Sequence, residues 1–314
     1  ALKPANLEPQ DAYPHLEGYV TGATPVTMAE IDEATKHGKA SSWLRHLLAR
    51  QDVDLEAKLP TPPQAQALGA HCTMLMIRCL SHRQLTGGEV ASDITTIRIL
   101  IEAAADVNAT SSNGSTPLMV ACQSAFPEVV EALISAGANV NAVGEEGQTA
   151  LAQLCGATRQ GAAVTIAKTL FDHGAAATLE ARDSGDFTAL HTACEHGRAG
   201  LVRLLIEKKA DVNVTLPDGA GYNPLAGAAI GACPGLRLDM MDAPVKIYEQ
   251  IVKMLLEAGA DREVKWRRIG QSEAPMPILE WVKKAKPGNK DLEALLGGRA
   301  EFDELVQRAM ELRV

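Results

Sequence analysis

The sequence predicts an all-α solenoid: helix–turn–helix units stacked in one dimension, joined by hairpin turns and closed by degenerate capping units at both ends. Three observations carry this prediction. The end of a second helix recurs as Leu100–Asn108, Leu133–Asn141, Leu170–Thr178, Leu205–Asn213 and Leu255–Asp261, with leucine steps of 33, 37, 35 and 50 residues. An anchor at the start of a first helix recurs independently as Thr73, Thr116-Pro117-Leu118, Thr149-Ala150-Leu151, Thr188-Ala189-Leu190 and Asn223-Pro224-Leu225. Finally, the chain is 46% hydrophobic but only 4% aromatic, a composition suited to small Ala/Leu helices packed closely together.

The clearest unit is Asp186–Val214. Thr188 opens a short apolar helix, Gly197 breaks it, and Leu201, Val202, Leu204 and Leu205 follow at helical spacing until Ala210-Asp211. Helices this short are marginal alone, so each unit needs its neighbours. This repeat resembles the ankyrin family, whose unit of about 33 residues carries a Thr-Pro-Leu-His-x-Ala signature. The resemblance spans residues 73–263, and His191 stands at the signature histidine. Met119, Ala152 and Ala226 replace that histidine elsewhere. Lys209 and Ala104 stand where Gly137, Gly174 and Gly259 show the usual glycine, a left-handed cap position at which a side chain is strained.

Taken in order, residues 1–26 carry Pro4, Pro9, Pro14 and Pro25 without any period and read as an extended N-terminal arm. Residues 27–58 form a degenerate N-terminal capping repeat, opened by Thr27 and Glu30 in capping-box spacing and continued by Trp43, Leu44, Leu47 and Leu48. Residues 59–264 hold about five repeats. In the first of these, helices are expected near residues 70–80 and 94–102, with residues 83–92 as an insertion between them. In the second, Pro127 suits a first helical turn. In the third, residues 156–163 form a Gly/Ala-rich connection without the features of a phosphate loop. The fifth carries the largest insertion, residues 231–244, whose Leu236, Leu238, Met240 and Met241 are more apolar than a solvated loop needs. Residues 265–314 make a degenerate C-terminal repeat, with helices near Pro277–Val282 and Asp291–Leu296, and a final capping helix over Glu301–Leu312.

The formal net charge of −9 argues against nucleic acid as the principal partner, because phosphate binding requires concentrated Lys and Arg. No apolar run reaches the length of a membrane span. Of six cysteines, Cys79, Cys122, Cys155 and Cys194 each lie six residues after a threonine anchor, and so share one inward position suited to a small apolar side chain. His71, Cys72, Cys79 and His82 gather without a zinc spacing, and no metal is expected. Cysteines used in this way fit a reducing intracellular compartment, cytoplasm or nucleus.

No metal-ligand pair, nucleophile elbow or nucleotide loop is present, so neither catalysis nor a cofactor is expected. The resemblance implies instead a protein that binds other proteins on a concave surface lined by first helices and turns. The turns fall near residues 106–114, 139–148, 178–187, 211–220 and 261–270. The middle turns offer Glu145, Glu146, Glu180, Asp183, Asp186, Asp211 and Asp218, and the last offers Lys265, Arg267 and Arg268. On this reading the centre prefers a basic partner segment and the C-terminal end an acidic one. The apolar side chains at 236–241 add a docking element. A second reading is a permanent subunit of a larger assembly, held by the N-terminal arm and the 231–244 insertion. His191, Thr116, Pro117 and Thr188 are expected to be structural, the histidine by hydrogen-bonding the backbone of its turn. Asn108, Asn141 and Asn213 occupy the turn position which, by the resemblance, is an asparagine-hydroxylation site and also stabilises turns.

Overall fold

The structure, a computed structural model, describes residue 55 and residues 59–60, 71–81, 87–157, 161–217, 221–233, 243–266, 275–284 and 289–297. The predicted arm, residues 27–54 of the predicted capping repeat, Asp218, residues 234–242 with Leu236, Leu238, Met240 and Met241, Arg267, Arg268 and the predicted terminal helix lie outside the described residues. Packing divides the chain into two compact units, residues 1–146 and 147–314.

In the first unit a short antiparallel pair, β1 (Leu59–Pro60) and β2 (His71–Cys72), precedes α1 (Met74–Ser81), α2 (Gly87–Glu102), α3 (Pro117–Ser124) and α4 (Pro127–Ser135). First helices pack on first helices, α1 on α3, and second on second, α2 on α4. Helix α2 corrects the sequence reading, since it starts at Gly87 and absorbs most of the stretch expected as an insertion. The stretch has no proline to stop a helix.

The second unit repeats the scheme. Its first helices are α5 (Ala150–Cys155), α7 (Ala189–Glu195), α9 (Pro224–Ala232) and α11 (Ile278–Lys284). Its second helices are α6 (Ala163–Asp172), α8 (Ala199–Glu207), α10 (Val245–Glu257) and α12 (Lys290–Leu296). Each layer packs in chain order: α5 on α7 on α9 on α11, and α6 on α8 on α10 on α12. A two-residue antiparallel pair, β3 (Lys265–Trp266) with β4 (Met276–Pro277), lies between α10 and α11.

The anchors are helix caps. Thr116, Thr149 and Asn223 each accept the backbone N–H three residues on, at 3.4, 3.1 and 2.8 Å, which satisfies a donor the helix leaves open. Asn289 does the same for α12 at 3.1 Å. The second helices bury one stripe each; in α8 it is Leu201, Val202, Leu204 and Leu205, each contributing roughly 2 kcal/mol through its removal from water. Cys79, Cys122, Cys155 and Cys194 are all fully buried at the shared inward position.

Candidate protein-binding surface

The turn tips are built from backbone geometry first. Between α2 and α3 the turn closes with Ser111 N–H on Ser115 O (2.9 Å) and Gly114 N–H on Ser111 O (3.0 Å). The next tip leans on it: Glu145 N–H donates to Asn113 O at 3.2 Å. A Cβ at Gly114, where φ is +75°, would stand 2.6 Å from Glu145 N, so only glycine allows this approach. Glu145 and Glu146 are exposed at that second tip.

In the second unit the structure gives the acidic turn residues work that their charge alone does not reveal. Asp183 Oδ1 accepts the N–H groups of Gly185 and Phe187, both at 2.9 Å, and its own N–H donates to Phe187 O. Asp186 is half-buried with φ +64°, a conformation aspartate tolerates better than most residues. Glu180 is exposed, yet its Oε1 accepts the N–H of Asp211 in the following turn at 2.9 Å. Asp211 Oδ1 accepts the N–H of Asn213 at 2.9 Å. Among them Arg182, which sequence reasoning passed over, donates from Nη1 to Asp186 O (3.2 Å) and Thr215 O (3.1 Å). A cation therefore stands inside the acidic group. Lys265 is exposed on β3.

Asparagine clamps tie one turn to the next. Asn108 accepts Asn139 N–H at 2.7 Å and donates to Gly137 O at 3.1 Å. Asn213 accepts Asp261 N–H at 2.7 Å and donates to Gly259 O at 3.1 Å. Where the third repeat has Thr178 in that register, Glu180 reaches over two residues later and supplies the acceptor.

Beneath the tips His191 is buried, and its Nδ1 accepts the N–H of Thr188 at 3.2 Å, with the Thr188 hydroxyl at 3.0 Å. In the second repeat Met119 Sδ does the same for Thr116 N–H at 3.5 Å. Burial above all, then the Arg182 charge, lowers the imidazole from its ordinary 6.5 to about 4, against the opposing pull of the Tyr222 and Val214 backbone. His191 is thus neutral at pH 7. An aromatic series continues from it: the Tyr222 ring stacks at 6.1 Å, Trp266 follows at 6.0 Å, and Trp281 at 5.1 Å donates its Nε1–H to Trp266 O. Burial pushes the Cys155 thiol up to about 12 and Cys194 well above its ordinary value, so both are neutral and unreactive.

Sequence reasoning also missed Glu195, buried at the end of α7, whose Oε1 accepts the Tyr222 hydroxyl at 2.5 Å. The signal was an acidic residue directly after the inward cysteine. Between α8 and α10 a groove of about 380 Å³ is lined by Arg203, Ile206, Glu207, Met254, Glu257 and Ala258. Among the described residues, no group of three His, Cys, Asp or Glu side chains is placed to hold a metal ion, and no helix is long and apolar enough to cross a membrane.

Stacked helix hairpins with polar, interlocked turn tips define the class of repeat scaffolds, in which each unit is held by its neighbours. Within that class the family model for ankyrin repeats (3 copies) matches residues 33–144, 88–181 and 154–265, and the chain belongs to the ankyrin repeat family. Among solved structures it is similar to the ankyrin repeat domain of Bcl-3, described as a unique member of the IkappaB protein family. That match has 20% identity and a TM-score of 0.56, and covers 88% of this chain and 98% of that one. It is also similar to the human ASB11 ankyrin repeat domain, with 20% identity, TM-score 0.52, and coverage of 72% and 83%. A third, EF0377, an ankyrin repeat protein, shows 22% identity, TM-score 0.52, and coverage of 71% and 96%. At these identities the likeness concerns the fold.

Proposed function

We propose that this chain is a non-enzymatic adaptor or regulator that grips a partner protein along the concave side of its repeats and its turn tips, with a basic partner segment at the central turns. Ankyrin repeats are in general protein–protein interaction modules. The observation that carries the finer reading is the exposed pair Glu145 and Glu146, presented on a turn whose backbone is already locked by Asn113 and Gly114. A pre-ordered tip spends little entropy on binding. Exposed charges of this kind set orientation and association rate more than affinity.

The test is capture of partners by the tagged chain at low and high salt, then the association rate of the captured protein with the wild type and with the double reversal E145K/E146K. Asp183 and Glu180 are left intact, since reversing either would also open a turn. A reading through charged tips expects partners lost as salt rises, and association slowed severalfold by the reversal. An unchanged rate sinks the role of these tips. Stoichiometric partners that survive high salt support instead the permanent subunit, anchored by the N-terminal arm and the 231–244 insertion.

A further inference from the structure

We propose that Glu195, with the two tyrosine hydroxyls laid against it, is a proton-linked pin that fastens the fifth repeat (α9–α10) to the fourth (α7–α8). Glu195 is only 9% exposed. Its carboxylate accepts the Tyr222 hydroxyl at 2.5 Å, and its main-chain oxygen accepts the Tyr248 hydroxyl at 2.8 Å. Tyr222 lies just ahead of α9 and Tyr248 within α10, so one residue collects both limbs of the next repeat.

Glycines make room for the rings. A Cβ at Gly231 would stand 2.3 Å from the Tyr248 ring, and one at Gly227 would stand 2.9 Å from the Tyr222 hydroxyl and 3.3 Å from Glu195 Cγ. At Gly197, where φ is +63°, it would stand 2.3 Å from Ala243 Cβ and 3.1 Å from the Tyr248 ring. Helix α9 has no ionisable side chain and all nine of its residues are buried, so it adds only apolar contact to this junction. The Glu195 bonds supply direction where apolar packing supplies none.

The ionisable groups acting on the carboxyl are Tyr222 ahead of α9, His196 and Cys194 on its own segment and Asp183 from the turn before α7, with His191 of α7 stacked on the Tyr222 ring. Burial raises the Glu195 carboxyl most and Asp183 adds to the rise, while the Tyr222 hydrogen bond and His196 pull it back. With the folded value above the unfolded one, the folded junction holds a proton more tightly. The pin is therefore strongest in mild acid and weakens as pH rises through the raised value.

Hydrogen exchange of the full chain, read by mass spectrometry from about pH 5 to about pH 8 and corrected for the intrinsic chemical rate, tests this. Measured in an H191M background, which removes the opposite pH dependence of the buried imidazole, the chain should open residues 222–233 and 243–257 more readily as pH rises, by about tenfold for each unit by which the carboxyl is raised. Adding E195Q should flatten that slope and, at the alkaline end, protect these peptides better than H191M alone. Adding Y222F should speed exchange at every pH while retaining a slope. A slope unchanged by E195Q in that background overturns the proposal. Should the E195Q chain fail to fold, the H191M profile decides alone: a slope spread evenly over residues 150–172 as well as 222–257 overturns it.

Discussion

Replacing Lys209 with glycine should make the protein more stable, although it removes a charged side chain and adds no contact. The second helices end alike: Gly137, Gly174 and Gly259 have φ of +92°, +94° and +93°, and in the same register Ala104 has +65° and Lys209 +71°. The closing bonds are also the same. Gly137 N–H meets Ile134 O and Ala138 N–H meets Leu133 O, both at 3.0 Å, and Lys209 to Ile206 and Ala210 to Leu205 reproduce them at 3.0 Å. A side chain held left-handed costs about 1–2 kcal/mol. Glycine returns roughly 0.5–1 kcal/mol of this through its greater freedom in the unfolded chain. The net gain expected for K209G is about 0.5–1 kcal/mol. Lys209 is exposed, and the neighbouring Lys208 is the one that sits over the Phe171 ring, at 5.2 Å, so that contact stays. Urea unfolding followed by circular dichroism and by tryptophan fluorescence gives the number, since Trp266 and Trp281 are buried in the second unit. G137A is the converse: its Cβ would meet nothing within 4 Å, so its loss of about 1 kcal/mol would be conformational alone. A K209G midpoint at or below the wild type, beside a harmless G137A, would refute the reasoning.

Two further outcomes follow from the turns and the buried histidine. N213A should cost about 1–2 kcal/mol and speed exchange at the Asp261 amide, because both bonds from Asn213 to the next turn are lost; E180A, removing one acceptor from an exposed position, should cost less. His191 has a folded value of about 4 against an ordinary 6.5, so between those limits the unfolded chain takes the proton first and stability falls as pH falls. That loss approaches about 3 kcal/mol near pH 4 and is absent above pH 7. H191M, which borrows the sulfur acceptor seen at Met119, should remove this dependence, and equal acid sensitivity in the wild type and H191M would contradict it.

Much of the architecture was legible because the repeat is written twice in the sequence. The anchors Thr116, Thr149 and Asn223 mark caps, and the leucines before Gly137, Lys209 and Gly259 mark helix ends. Two signals in agreement survive weak propensity at either one. The start of α2 was not legible, because Gly87-Gly88 reads locally as a break while its helix is settled by packing on α1 and α4. The turn surface was legible as charge and not as bonding. Glu180, Asp183 and Asp211 look like free acids in sequence, yet each accepts a backbone N–H, one of them from a residue 31 positions away. Charge is local to a residue, whereas a bonding partner depends on the stack. Glu195 and Tyr222, 27 positions apart, escaped notice for the same reason.

Helix α9 has a further consequence for how the protein reaches this state. All nine of its residues, Pro224–Ala232, are buried, and it has no polar stripe to mark an outside. Such a segment has no preferred facing until α7, α10 and α11 are there to receive it. Its partner α10 buries a single stripe, Tyr248, Ile251, Val252, Leu255 and Leu256, and can orient before it docks; α9 takes its orientation from the dock. Helix α9 is thus a follower within its repeat, ordered by neighbours on both sides, and a truncation before α11 should leave it as a sticky, aimless segment rather than a shorter but intact stack.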